Sequence, residues 1–148
     1  QRARRLQVGG GGADVFRGGE GQDQIVVSDG DFFDIDGGNG ADTLVLAGTG
    51  FDFDLTDISD SKTTGIEILD LTAGSGAHIL TLSLTDLLNL SDTSNTLTVE
   101  GGGADSVEVT TGEWTDMDVV GHYHVYRLGA AELKIHVAIT DVDITLGT

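Results

Sequence analysis

Residues 9–26 read GGGGADVFRGGEGQDQIV and residues 37–45 read GGNGADTLV. Gly9, Gly10, Gly12, Asp14 and Phe16 stand at the spacing of a nonapeptide G-G-x-G-x-D-x-U-x, where U is a large apolar residue. Gly18, Gly19, Gly21, Asp23 and Ile25 repeat it in tandem, and Gly37, Gly38, Gly40, Asp42 and Leu44 give a third copy. The stretch between, VSDGDFFDID, is one residue longer than a repeat and reads as a degenerate turn.

Each part of this phrase has a physical use. Glycine takes positive φ without a steric penalty, so the chain turns tightly and its carbonyl oxygens point toward a common centre. The x-U-x triplet is a very short strand whose central side chain faces inward. Successive turns alternate sides, so a loop sits on the loop two repeats later, roughly 18 residues on. About six hard oxygens from two such loops suit Ca²⁺ and not a soft transition metal. A metal-free solenoid built on glycine turns is the plainer reading, but three matches nearly in phase favour calcium.

Composition narrows the partners. The 148 residues suffice for one domain or one elongated solenoid. With 25 Asp plus Glu against 7 Lys plus Arg, the formal net charge is -18. Nucleic acid and anionic membrane surfaces are therefore poor partners, and cations are natural ones. Self-repulsion on this scale opposes compaction unless something neutralises it. The 23 glycines would suit disorder, but 39% hydrophobic residues in alternating patterns argue for a fold. Cysteine is absent, which is compatible with an extracellular setting because a bound metal can replace disulfides as a staple. No apolar run reaches the roughly 18 residues of a membrane span. The opening QRARRLQV is basic with no hydrophobic stretch behind it, so residues 1–8 read as a linker or remnant and not as an amino-terminal signal.

Beyond the repeats, TLVLAG, GIEILDLT, HILTLSL, NTLTVEG and DSVEVT alternate and are bounded by turn formers, as strands are. GGGADSV at 101–107 resembles a decayed half-repeat, with Glu100 in place of the first glycine, that caps the stack or binds a weaker ion. In SLTDLLNLSD, Leu84, Leu87 and Leu88 share one helical face and Ser83 or Thr85 can cap the start. Such a helix would close one end of an open roll. The run from His122 to Leu146 turns at LGAA and predicts a hairpin plus a last strand, a terminal cap of the kind an exposed solenoid end needs. His122, His124 and His136 form a conceivable transition-metal set, although a cross-strand surface pair is the blander account. Trp114 and Tyr123 could stack on a sugar, but packing explains them more simply. No paired acid and base or nucleophile elbow is visible, so an enzyme is not expected.

These glycine–aspartate copies resemble the RTX calcium-binding repeats, which fold as a parallel β-roll. The resemblance implies an all-β fold, in which a short roll at 9–47 continues into an irregular β-solenoid or β domain at 48–148, with one short helix and a hairpin cap. It implies a Ca²⁺ site whose ligands are Gly19, Gly21 and Asp23 with Gly37, Asn39 and Asp42. On the other side of the roll Gly10, Gly12 and Asp14 face the degenerate loop, where Phe32 falls at the aspartate position; there Asp29 or Asp31 substitutes, or the site is weak. The segment from Gly65 to Val137 looks like the carboxy-terminal region of very large bacterial repeat adhesins. That likeness implies type I secretion, with its export machinery as a transient partner. It also implies an extracellular or cell-surface location and a role in adhesion and biofilms, compatible with a cell-surface or polysaccharide ligand. An accessory domain of a secreted enzyme or toxin, and a calcium-dependent surface-layer or filament subunit, are the alternatives.

Overall fold

The computed structural model describes residues 6–8, 15–17, 21–27, 34–38, 40–47, 52–55, 63–72, 76–90, 95–110 and 112–147. Among these the chain is mostly β-strand with one short helix, and no helix is long and apolar enough to cross a membrane. The strands are β1 (Leu6–Val8), β2 (Val15–Arg17), β3 (Gln24–Val27), β4 (Asp34–Asp36), β5 (Thr43–Leu46), β6 (Asp52–Asp54), β7 (Thr63–Thr64) and β8 (Ile68–Asp70). They are followed by β9 (Ile79–Leu82), helix α1 (Leu84–Leu90), β10 (Thr96–Glu100), β11 (Ser106–Val109), β12 (Thr115–Val120), β13 (Tyr123–Leu128), β14 (Ala131–His136) and β15 (Asp141–Asp143).

The chain coils. Its long sheet runs β1-β3-β5-β8-β10-β14-β13-β12, and every neighbouring pair from β1 to β14 is parallel. Between visits to this sheet the chain crosses to the far side, where β2-β4-β7 and β6-β9-β11-β15 form two shorter parallel sheets. The first coils carry one far-side strand each. From β5 onward a coil carries two far-side elements, β6 then β7, and in the next coil β9 then α1. The helix contacts β7, β10 and β14, and Ile66 N donates to Leu90 O at 2.7 Å. It therefore fills the flank where the β2-β4-β7 sheet stops, and does not close an end of the stack as the sequence suggested.

Strand pairing follows the inward residues. Ile25, Leu44, Leu69 and Val99 lie in register along the long sheet, each at 0% exposure. Opposite them Phe53, Leu80 and Val107 form a second buried row. A strand of three or four residues buries only one or two side chains, so each coil depends on its neighbours for a core. The degenerate turn keeps its inward residue, because β4 pairs Ile35 with Phe16 of β2 and Ile35 is fully buried.

Ser83 begins α1 as a capping box in which Asp86 replaces the usual Glu. Asp86 N donates to Ser83 Oγ at 3.2 Å and Ser83 N to Asp86 Oδ2 at 2.9 Å. Leu87 and Leu90 are buried, while Leu84 and Leu88 pack against the core from its margin.

At its far end the long sheet reverses direction. β14 is parallel to β10, but β13 and β12 return antiparallel, the first turn falling at Gly129–Ala130 as the LGAA reading expected. Strand β12 was not legible: its side chains are all exposed, and its register shifts between Asp116 and Val119 with Asp118 at φ 71°. Trp114 is buried and bridges Leu146, accepting from Gly147 N and donating its own N–H to Thr145 O, which makes it a packing residue.

Candidate metal centre

Among the expected ligands, Gly21, Asp23, Gly37 and Asp42 lie within the described residues and are brought together. Gly19, Asn39, Gly10, Gly12, Asp14, Asp29 and Asp31 lie outside them. Asp23 immediately precedes β3 and Asp42 immediately precedes β5, and Gln24 pairs with Thr43, so the two aspartates sit one above the other. Asp23 N donates to Asp42 Oδ1 at 2.8 Å, and Thr43 N to Asp23 O at 2.9 Å.

Glycine is what lets the loops approach this closely. A methyl group added at Gly40, where φ is +101°, would lie 2.1 Å from the Gly21 carbonyl oxygen. One added at Gly37 would lie 2.2 Å from the Gly65 carbonyl oxygen and 2.8 Å from Asp42 Oδ2. Only residues without a Cβ fit between these oxygens.

The same geometry continues upward in a form the nonapeptide does not announce. Thr43 pairs with Ile68, so Glu67, just before β8, occupies the position of Asp23 and Asp42. Asp42 N donates to Glu67 Oε1 at 2.9 Å, repeating the contact between Asp23 N and Asp42. Asp36 also lies near, its Oδ1 accepting from Gly38 N at 3.0 Å. Neither Glu67 nor Asp36 was picked out from sequence. The available signal for Glu67 was an acid directly preceding a strand, as in the repeats, but without their glycine pair.

Asp42 carries the electrostatic cost. It is fully buried, Oδ1 is taken by the Asp23 N–H, and among the described residues Oδ2 accepts no hydrogen bond. Burial pushes its carboxyl up from 3.8 to about 7; the Asp23 backbone N–H opposes the rise, and Glu67, Asp23 and Asp36 add to it. The folded, metal-free chain thus binds a proton that the unfolded chain releases above about pH 4. In chelator, stability should fall as pH rises between about 4 and 7 and level off above, opposite to the slope of an ion-paired carboxylate. Far-UV circular dichroism of the chelated chain and of Asp42→Asn at several pH values tests this: the loss of β signal with rising pH belongs to the parent alone, and equal losses would refute the attribution.

The decayed half-repeat is built differently. Asp105 is buried, its Oδ1 accepting from His78 N at 3.0 Å and its Oδ2 from Gly102 N at 2.8 Å. Both oxygens of this carboxylate serve the backbone, one across coils and one within its own turn. The three histidines do not converge. His122 and His136 stack at 6.1 Å between ring centroids, whereas His124 stacks on Tyr126 and meets Asp116 at 2.6 Å through Nε2. Tyr123 is hydrogen-bonded to Glu100, which pushes its hydroxyl up to about 12.

Among the described residues no three acidic or histidine side chains gather as a metal-binding group. A site built as the sequence implies would need only two carboxylates, with carbonyl oxygens as the remainder. The residues present fit such a group: a buried carboxylate oxygen without a hydrogen bond, in a glycine cradle that a Cβ would fill. No protein-family model, curated protein or solved structure matches the chain.

Proposed function

We propose that this chain is a calcium-binding module whose folding is coupled to calcium, built as the RTX-type parallel β-roll its repeats resemble. We propose further that it serves near the carboxy-terminal end of a type I-secreted bacterial adhesin. The observation that carries the calcium reading is Asp42, a buried carboxylate with an oxygen that accepts no hydrogen bond among the described residues and whose charge Glu67, Asp23 and Asp36 oppose. An isolated carboxylate in such a place costs several kcal/mol, and proton uptake or a cation relieves it.

Calcium, when bound, supplies the positive charge that offsets this crowding. Gly21, Gly37 and Gly40 hold the loops close enough for carbonyl oxygens to share the ligation, and Asp23 and Asp42 supply the carboxylates. At low free calcium the repulsion and the entropy of the glycine loops favour an open chain, the form that passes a narrow export channel. Extracellular calcium modules bind at roughly 10⁻⁴ to 10⁻³ M, so the fold would form after export. The adhesin assignment rests on the overall pattern of the segment after Gly65.

Far-UV circular dichroism of the chelated chain during Ca²⁺ titration, with Mg²⁺ as control, is the direct test. The expected result is a calcium-specific gain of β signal. A spectrum already fully β in chelator and unmoved by calcium would mean that the glycine loops are turns only.

A further inference from the structure

We infer that the terminal hairpin carries a binding groove for a straight-chain carboxylate, a ligand with an aliphatic tail and one anionic end. The groove lies on β12, β13 and β14, at the end of the long sheet farthest from β1, and the calcium reading makes no use of it.

Alternation on paired strands builds it. Along β13, Tyr123, Val125 and Arg127 share one face, and pairing sets Lys134 of β14 beside Val125 and Glu132 beside Arg127. On the other flank β12 sets Val120 beside Tyr123. Met117 stands within the register shift between Asp116 and Val119 and lines the same groove. The enclosed volume is about 350 Å³. That falls at the lower end of the roughly 300–1,000 Å³ of small-molecule sites.

The groove has an apolar trough and a cationic end. Val125 is buried, whereas Met117 and Val120 stand 44% and 64% exposed beside it. Arg127 Nε and Nη2 donate to Glu132 Oε1 at 3.1 and 2.9 Å, and Lys134 Nζ lies 3.7 Å from Glu132 Oε2. One carboxylate thus serves two cations, and the cluster keeps an excess positive charge. In a chain with 25 Asp plus Glu against 7 Lys plus Arg, two bases around one groove with a single acid reverse the local sign. The neighbouring acids are engaged elsewhere. Asp116 meets His124, which alternates to the opposite face of β13 from Val125, and Glu100 is hydrogen-bonded to the Tyr123 hydroxyl. Charges beyond about 8 Å are largely screened at physiological salt. An arriving anion therefore meets Arg127 and Lys134 more than the net charge of the chain.

This division of polarity selects the ligand. A carboxylate complements the planar guanidinium of Arg127 and the ammonium of Lys134. An unbranched alkyl tail complements Met117, Val120 and Val125, and the flexible methionine adapts to it. A sugar fits poorly, because the Tyr123 hydroxyl is committed to Glu100 and the trough offers it no hydrogen bonds. A bare inorganic anion would leave the trough uncovered.

The chain has a single methionine, so a methyl-labelled Met117 gives one NMR signal, and it reports from inside the groove. The test titrates octanoate into the full chain at a calcium concentration where its β spectrum is complete. Acetate and 1-octanol control for the head and the tail alone. Expected is a saturable shift of the Met117 methyl with octanoate, and binding about tenfold or more weaker for either control. Arg127→Gln should raise the octanoate midpoint by about tenfold or more. Val120→Ser, at an exposed position, should raise it severalfold. A Met117 signal unmoved by octanoate, an equal response to 1-octanol, or an unchanged midpoint in Arg127→Gln would overturn the site. Should Arg127→Gln fail to fold, Lys134→Gln is judged by the same criterion. All of these readings are taken on folded chain, so their failure leaves the calcium reading standing.

Discussion

Replacing Asp42 by asparagine is expected to stabilise the chain in chelator and destabilise it in calcium. In chelator the substitution removes a buried charge beside Asp23, Asp36 and Glu67 while keeping an oxygen for the Asp23 N–H. At pH 7 and above, where the carboxyl is charged, a gain of about 1–3 kcal/mol is expected, the usual cost of a buried polar group left without its partners. In calcium the sign reverses, because the variant forfeits the stabilisation a ligand gives by binding only the folded state. That loss is about 2.7 kcal/mol for one site at a hundredfold excess over its dissociation constant. For a domain of this size each kcal/mol moves the melting temperature by roughly 2–4 °C. In chelator the variant should therefore show more β signal than the parent by far-UV circular dichroism, and in saturating calcium the lower melting temperature. A shift of the same sign in both media would mean that Asp42 is an ordinary core acid.

The second large effect is expected at Gly40. Gly40→Ala places a methyl group 2.1 Å from the Gly21 carbonyl oxygen, at a backbone φ of +101°. The conformational penalty alone is about 1–2 kcal/mol, and overpacking against backbone that cannot rotate away adds about 1–3 more. A total near 3 kcal/mol or above is a large part of a typical domain's 5–15 kcal/mol. Gly121→Ala is the internal control, with a φ of +65° but open space around the added carbon. Denaturant midpoints should place Gly121→Ala in the range of the conformational penalty and Gly40→Ala well beyond it. Equal losses would mean that the close approach of the two loops contributes nothing.

The strands β5, β8, β9, β10 and β11 were legible because each carries inward Leu, Val or Ile at alternate positions between turn formers. Helix α1 was legible because Ser83 and the leucines give cap and face together. Strand β12 was not, since TDMDVV buries none of its side chains and takes its pairing from β13. The positions of Asp23 and Asp42 could be read from the nonapeptide itself. Glu67 could not, because its place beside Asp42 depends on the register of β8 against β5, across a coil whose length no repeat dictates. The third flank of the later coils was hidden for a similar reason: β7 is two residues long, and α1 continues its side through tertiary contact alone.

The antiparallel return at β12 and β13 has an effect on growth of the stack. A parallel coil invites another strand onto its open edge, and repeated addition of that kind yields a fibre. Here the edge is a strand carrying Asp116 and Asp118, bent by its register shift and by a left-handed aspartate, all devices that discourage a new backbone from pairing. The turn of chain direction therefore works as a buffer stop: molecules of this kind can crowd at high concentration without zipping end to end into amyloid through β12.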